Sequence, residues 1–402
     1  MWEELSHEEM LSLFSKIDAN SDGLVAWDEF LSFMVLSSQL SLGLREDAQR
    51  PRQNLLDTAP TAPPLAAYLE SAASRGEAPV EAIATALSSA GPRLALSGLT
   101  LSAGTSAALA LGLKAAAYSE VELSDLKVGG GGVKDLAAAV ASHASLASLS
   151  LAGSALGDAG IGSLAPLLRG HGSALTALDL KASDLGNNGA AALAELLATN
   201  LGLRTLDLQR NAIKDQGAIA LAAALQVNGG LQALNLRFNE VSDAGATSLG
   251  KALQGNGSVT ELHLGGNLIG AEGAVQLAAA LVSNTTLRSL NLRSNAVLDA
   301  GAVALAQMTK RNGALLELFL GANGIGEEGV VALADAWKMN ATLQARAIRA
   351  QIRRNSGAIR RNSAQCGAIL LSPLSSLACR PSTSRGRRRG APAPPPSPRR
   401  SR

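Results

Sequence analysis

Asn211, Asn239, Asn267, Asn295 and Asn323 follow one another at a fixed spacing of 28 residues. Each sits in the same frame, clearest as Leu203-x-x-Leu206-x-Leu208-x-x-Asn211-x-Ile213-x-x-x-Gly217, followed by an Ala/Leu segment at helical spacing. The rest of the unit keeps the same phase. Gly189, Gly217, Gly245, Gly273, Gly301 and Gly329 form one ladder, and Asn200, Asn228, Asn256, Asn284, Asn312 and Asn340 form another. A fixed period of this length implies a solenoid, because a unit so short cannot bury its apolar face alone and must stack on its neighbours.

Each ladder has a physical role. Leu206 and Leu208 alternate with Thr205, Asp207 and Gln209, the period of a strand with one buried face, and stacking such strands gives a parallel sheet. Asn211 stands where the chain leaves the strand, so its amide can satisfy backbone groups that the bend leaves open. Gly217 is expected to open the helix. Asn228 is expected to close it in the left-handed conformation that Asn tolerates after a helix.

These motifs resemble the leucine-rich repeat family, and the unit length resembles its ribonuclease-inhibitor-like subclass. Earlier units carry Ser183, Ser154, Leu126 and Leu99 at the Asn site. The fold class implied is an α/β solenoid, a leucine-rich repeat horseshoe with parallel sheet inside and helices outside. About nine units span 92–345, after a helical N-terminal cap over 65–91. Composition agrees: 47% of the 402 residues are hydrophobic but only 2% aromatic, so the apolar bulk is Ala and Leu.

Ahead of the repeats, Asp18-Ala-Asn20-Ser-Asp22-Gly23-Leu24-Val25-Ala26-Trp27-Asp28-Glu29 fits the twelve-residue calcium loop of the EF-hand family. The resemblance implies a small all-α EF-hand over 1–38, joined by a linker over 39–64, with Ca2+ as the cofactor. Asp18, Asn20 and Asp22 would each give a side-chain oxygen, Leu24 its carbonyl, and Glu29 two more, towards the roughly seven oxygens that calcium takes. Leu11, Phe14 and Ile17, and then Phe30, Phe33 and Met34, give the flanking helices their apolar faces. No second loop follows between Ser37 and Ala62. Pairing is therefore expected through a homodimer or another protein, unless a preceding hand has been lost.

Fourteen arginines, no lysine and no carboxylate lie from Arg346 onward, so a net charge of +2 leaves −12 for the residues before it. Low hydropathy and high net charge predict a disordered Arg/Ser/Pro-rich tail over 346–402. Nucleic acid is an expected partner only through that tail, and the same composition is what a GC-rich stretch read out of frame encodes. Cys366 and Cys379 lie outside the repeats, so no disulfide framework is expected and an intracellular, cytoplasmic setting is the expectation, with nucleus or cilium open. The acidic start and the short Ala368–Leu377 apolar stretch predict neither signal peptide nor membrane span.

No catalytic constellation emerges from His7, His143, His171 and His263, and the chain is read as a non-enzyme. The alternative is a regulator of the Ran GTPase activator type, which uses a similar repeat fold. The principal reading is a calcium-binding adaptor that grips a protein partner on its concave sheet face. There the period aligns Asp179, Asp207, Asn235, His263, Asn291 and Phe319 in one row, and Lys181, Gln209, Arg237, Gly265, Arg293 and Gly321 in the next. Phe319, Arg293, Phe238, Arg237 and His263 are the candidate contacts, since interfaces concentrate aromatics and Arg.

Overall fold

A computed structural model describes residues 63–343, apart from 90, 116, 129–131, 141, 143–144, 170–173 and 341. The chain divides into two compact units, Met1–Pro60 and Thr61–Arg402, and the described residues belong to the second. The expected calcium loop with Asp18, Asn20, Asp22, Leu24 and Glu29 lies outside them, as does the tail over 346–402.

Among the described residues two helices, α1 (Pro63–Ser74) and α2 (Glu81–Ser88), precede the first strand. Tyr68 of α1 is fully buried, and its hydroxyl accepts the Val80 N–H at 2.8 Å, which joins the two helices through one satisfied polar group. The chain then alternates strand and helix. Among the described residues nine strands form one parallel sheet in sequence order: β1 (Arg93–Ser97), β2 (Glu120–Ser124), β3 (Ser148–Ser150), β4 (Ala177–Asp179), β5 (Thr205–Asp207), β6 (Ala233–Asn235), β7 (Glu261–His263), β8 (Ser289–Asn291) and β9 (Glu317–Phe319). Two short strands, Thr100–Leu101 and Lys127–Val128, pair separately. The helices are α3 (Ala103–Lys114), α4 (Gly132–Val140), α5 (Gly157–Arg169), α6 (Asn187–Thr199), α7 (Asp215–Val227), α8 (Asp243–Gly255), α9 (Ala271–Leu281), α10 (Leu298–Arg311) and α11 (Glu327–Met339).

The core is the layer between sheet and helices. Leu206, Leu234, Leu262, Leu290 and Leu318, the central residue of each strand, pair in register and are at most 1% exposed. Each such leucine contributes about 1.5–3 kcal/mol on burial. The core is not free of aromatics, for Tyr118 is buried in it.

The first Asn ladder works as its position implies. Asn239 Oδ1 accepts the Ile213 N–H at 3.0 Å, while its Nδ2 donates to Leu208 O at 2.9 Å and Leu236 O at 3.2 Å. Ser154 does part of the same work in an earlier unit, donating to Leu123 O and accepting from the Leu126 N–H.

The second Asn ladder differs from expectation. Asn228 is extended, with φ −81 and ψ 120, and not left-handed. Its side chain closes the turn instead: Nδ2 donates to Leu197 O and Asn200 O of the preceding unit, and Oδ1 accepts the N–H groups of Gly230 and Leu231. An amide that can satisfy four backbone groups has no need of a strained φ. Asn256 and Asn284, both within glycosylation sequons, are buried with their amides used in the same way.

Gly217 does not open α7 but lies inside it, two residues after Asp215. A Cβ there would stand 2.8 Å from Ile213 and 2.9 Å from Ala190, so Gly is what lets neighbouring helices approach. A third ladder, absent from the sequence reading, exploits that approach. Asp215 Oδ1, in the first turn of α7, accepts the N–H groups of Ser242 and Gly245 at the start of α8. Asp243 does so for Gly270 and Gly273, and Asp299 for Gly326 and Gly329. Every such carboxylate caps the helix of the next unit. Burial works to raise the Asp215 pKa, yet the bonds from Ser242 and Gly245 hold it below the usual carboxylate value.

Candidate partner-binding surface

The sheet face turned away from the helices carries the two predicted rows in register. Asp179, Asp207, Asn235, His263, Asn291 and Phe319 are consecutive partners from β4 to β9. The neighbouring row follows the same ladder one turn later, where Gly153 N–H donates to Lys181 O, Arg210 N–H to Arg237 O and Gly266 N–H to Arg293 O.

This face is not simply solvated. Gln209 is 4% exposed and Asn291 7% exposed. Burial raises the Asp207 pKa against the opposing bonds from the Gln209 N–H and the Asn235 side chain. Burial also lowers the His263 pKa, although Glu261 pulls the other way, with His263 Nε2 3.5 Å from Glu261 Oε2. Such a face holds charges and dipoles at partial burial, where they are worth more than in bulk water.

Hydrogen bonds fix its polar side chains. Asn235 Oδ1 accepts the Arg237 N–H at 3.1 Å, which turns Asn235 Nδ2 towards Asp207 Oδ2 at 2.9 Å and Gln209 Oε1 at 3.2 Å. The Gln209 amide is thereby oriented, and its Nε2 is buried with no partner. His263 Nδ1 is likewise buried and unpartnered. These two atoms are the site features that sequence reasoning missed. The only available signal was the place of Gln209 in a row whose other side chains beyond glycine are Lys181, Arg237 and Arg293.

The five predicted contacts fall into two groups. Arg293 lies 5.0 Å from the centre of the half-buried Phe319 ring, and His263 is separated from Phe319 by Asn291 alone. Phe238 and Arg237 form the second group, on the turn that follows β6. There Phe238 has φ 52, the left-handed region that bulky residues avoid, and its ring is flanked by Arg237 at 5.2 Å and Arg210 at 5.6 Å. Gly266 makes room for that ring, since a Cβ on it would come within 2.4 Å of Phe238.

Among the described residues no group of His, Cys, Asp and Glu could hold a metal ion, and no helix is long and apolar enough to cross a membrane. Residues 173–194, 199–222, 231–250, 255–278 and 283–306 match the Leucine Rich repeat family. No curated protein matches the chain. Among solved structures, Leiomodin-1 Actin-Binding Site 2 (ABS2) is 17% identical with a TM-score of 0.32, covering 43% of this chain and 96% of its own. Residues 173–306 are thus leucine-rich repeats on a parallel sheet with alternating helices.

Proposed function

We propose that this chain is an intracellular, calcium-binding adaptor without enzymatic activity, which holds a protein partner on the open sheet face of its repeats. The observation that carries the reading is the Arg293–Phe319 pair. The ring stands half-buried at the end of a row whose other members are Asp, Asn or His, with a guanidinium against it. An aromatic on the solvent side of a sheet adds nothing to the core, whereas aromatic–Arg clusters are typical interface anchors.

Calcium enters through the donor set of Asp18, Asn20, Asp22, Leu24 and Glu29, which offers a hard cation carboxylate, amide and carbonyl oxygens at EF-hand spacing. When bound, the ion would draw these donors around itself. No second loop follows between Ser37 and Ala62, so a paired hand would come from a second copy or from the partner, unless a preceding hand has been lost.

Proteins captured by the full chain, with and without calcium, supply the test. Capture should depend on calcium, be lost in the Phe319→Ala, Arg293→Ala double variant, and survive deletion of 346–402. Capture that follows the tail and ignores the double variant would sink the reading. The GTPase-regulator alternative rests on scaffold likeness alone, and faster GTP hydrolysis by a Ran-type GTPase in the presence of the chain would favour it.

A further inference from the structure

Among the described residues β9 is the last strand of the sheet, yet the chain leaves α11 poised to continue it. Asn340, at the end of α11, donates to Asn312 O at 3.2 Å and accepts the Thr342 and Leu343 N–H groups, both at 2.8 Å. Asn312 holds the Ala314 and Leu315 N–H groups in the same way, both at 2.8 Å, immediately ahead of β9. Leu343 is therefore delivered to the point at which a further strand would begin beside β9.

The pattern of the preceding units says what that strand must supply. The Leu208, Leu236, Leu264 and Leu292 N–H groups each donate to the carbonyl 27 residues ahead. The Ile213, Val241, Ile269 and Val297 N–H groups each donate to the Asn side chain 26 residues ahead. The same steps from Leu320 and Ile325 reach Ala347 and Gln351, and Gln351 again carries an amide. The helix side gives an independent sign. Asp215, Asp243 and Asp299 accept N–H groups 27 and 30 residues ahead, the second always from a glycine. Glu327 stands at this place on α11 and is exposed, and the residue the longer step reaches from it is Gly357. Ala302, Ala306 and Thr309 of α10 are at most 1% exposed, whereas their counterparts Val330, Ala334 and Trp337 on α11 are only half-buried and present an apolar flank.

We propose that residues 344–358 of this chain dock along β9 and α11 as one further, atypical unit, with Ala347 and Gln351 accepting the Leu320 and Ile325 N–H groups and Gly357 donating to the Glu327 carboxylate. Leu343 and Ile348 keep apolar places of the frame, while Arg346 and Arg353 stand where the unit before has Leu318 and Ile325. An end unit meets water on its outer side, so an arginine there lays its stem on the layer below and keeps its guanidinium in solvent. Charge agrees, since the segment carries Arg346, Arg349, Arg353 and Arg354 and no carboxylate, against the exposed Glu327 and Glu328 of α11. A covered edge also removes a template for pairing with other chains. Ala347 then follows Phe319 in its row, and a side chain so small leaves the ring open to a partner.

Hydrogen exchange on the full chain tests it, read at the Leu320 and Ile325 amides. Both should exchange as slowly as Leu292 and Val297, their counterparts one unit earlier, to within about tenfold. Ile348→Asp should speed both by about tenfold or more and leave Leu206 and Leu208 unchanged, whereas Ile369→Asp should alter none of them. A chain ending at 360 should keep the protection and one ending at 343 should lose it, which decides the matter if Ile348→Asp unfolds the whole protein. Fast exchange at Leu320 and Ile325 in the full chain overturns the proposal. So does loss of protection in Ile369→Asp alone, which gives the edge to the apolar stretch 368–377, and so does protection that rises with protein concentration, which gives it to a second copy.

Discussion

Asn239 reaches back by one unit to accept the Ile213 N–H at 3.0 Å, and Asn267 does the same for Val241 at 3.0 Å. Each is 6% exposed, and each also donates to two carbonyls at the turn, Leu208 and Leu236 for Asn239, Leu236 and Leu264 for Asn267. Asn239→Ala and Asn267→Ala should each lower stability by about 1–3 kcal/mol, since truncation leaves a buried N–H and two carbonyls short of a partner. Urea unfolding measures this. Wild-type midpoints in both variants would show that water replaces the amide without loss.

The carboxylate ladder gives a second expectation. Asp243 caps α9 through Gly270 and Gly273, but the equivalent residue in the next unit is Ala271, which has nothing to offer α10. The Leu298 N–H turns instead to Asn323 O at 3.0 Å, and Leu298 sits at φ 53, a conformation that costs an L-residue about 1–2 kcal/mol. Asp243→Ala should therefore destabilise by about 1 kcal/mol, and Ala271→Asp should stabilise by about 0.5–1 kcal/mol by restoring the missing cap. Thermal melting of the two variants should shift in opposite directions. A fall in both would mean that the turn at Leu298 cannot accept the conventional cap.

Period alone made most of this fold legible. Leu206, Leu208, Asn211 and Ile213 fixed strand, face and register, because alternation and stacking leave no other way to bury them together. What periodicity could not show was direction across units. Asp215 reads as an ordinary acidic residue in a first helical turn, and only the helix spacing reveals that its carboxylate serves the next helix. The Asn228 conformation was misjudged for a similar reason: helix-end statistics favour a left-handed Asn, but here the amide has backbone partners in two units and the extended form reaches them. On the sheet face, the rows were legible from the period of 28 residues, whereas the orphaned Gln209 Nε2 depends on the bond that Arg237 makes to Asn235, which no pattern encodes.

His263 predicts a pH effect on stability. Burial lowers its pKa below the ordinary histidine value of 6.5, so between that lowered value and pH 6.5 the unfolded chain binds more protons than the folded one. Stability must then rise with pH through this window, and be lost progressively as pH falls below 6.5. His263→Gln should flatten the dependence there while leaving the neutral-pH midpoint near wild type. Glu261→Gln should steepen it, because the carboxylate near His263 Nε2 favours the charged imidazole. An unchanged slope in His263→Gln would assign the effect to other groups.

The proposed calcium loop yields the last expectation. Asp18, Asp22 and Glu29 supply three carboxylates, enough for a sensor-range site, but Ala26 has no side-chain oxygen to orient the water expected near it and no second loop follows in the linker. Binding by the full chain should therefore fall at a Kd on the order of 10⁻⁶ to 10⁻⁴ M. Trp27 lies within the loop and gives a fluorescence readout of the same event. Glu29→Gln should remove most of the binding, because replacing a bidentate carboxylate with an amide takes away both a charge and a ligand oxygen, and the remaining donors cannot close around the ion. Magnesium should compete poorly, since it keeps its waters and demands near-octahedral geometry, whereas calcium takes roughly six to eight oxygens. If calorimetry finds no calcium heat, or equal heat in Glu29→Gln, the loop does not bind the ion and calcium control of partner capture goes with it, while the repeat surface would be left to act constitutively.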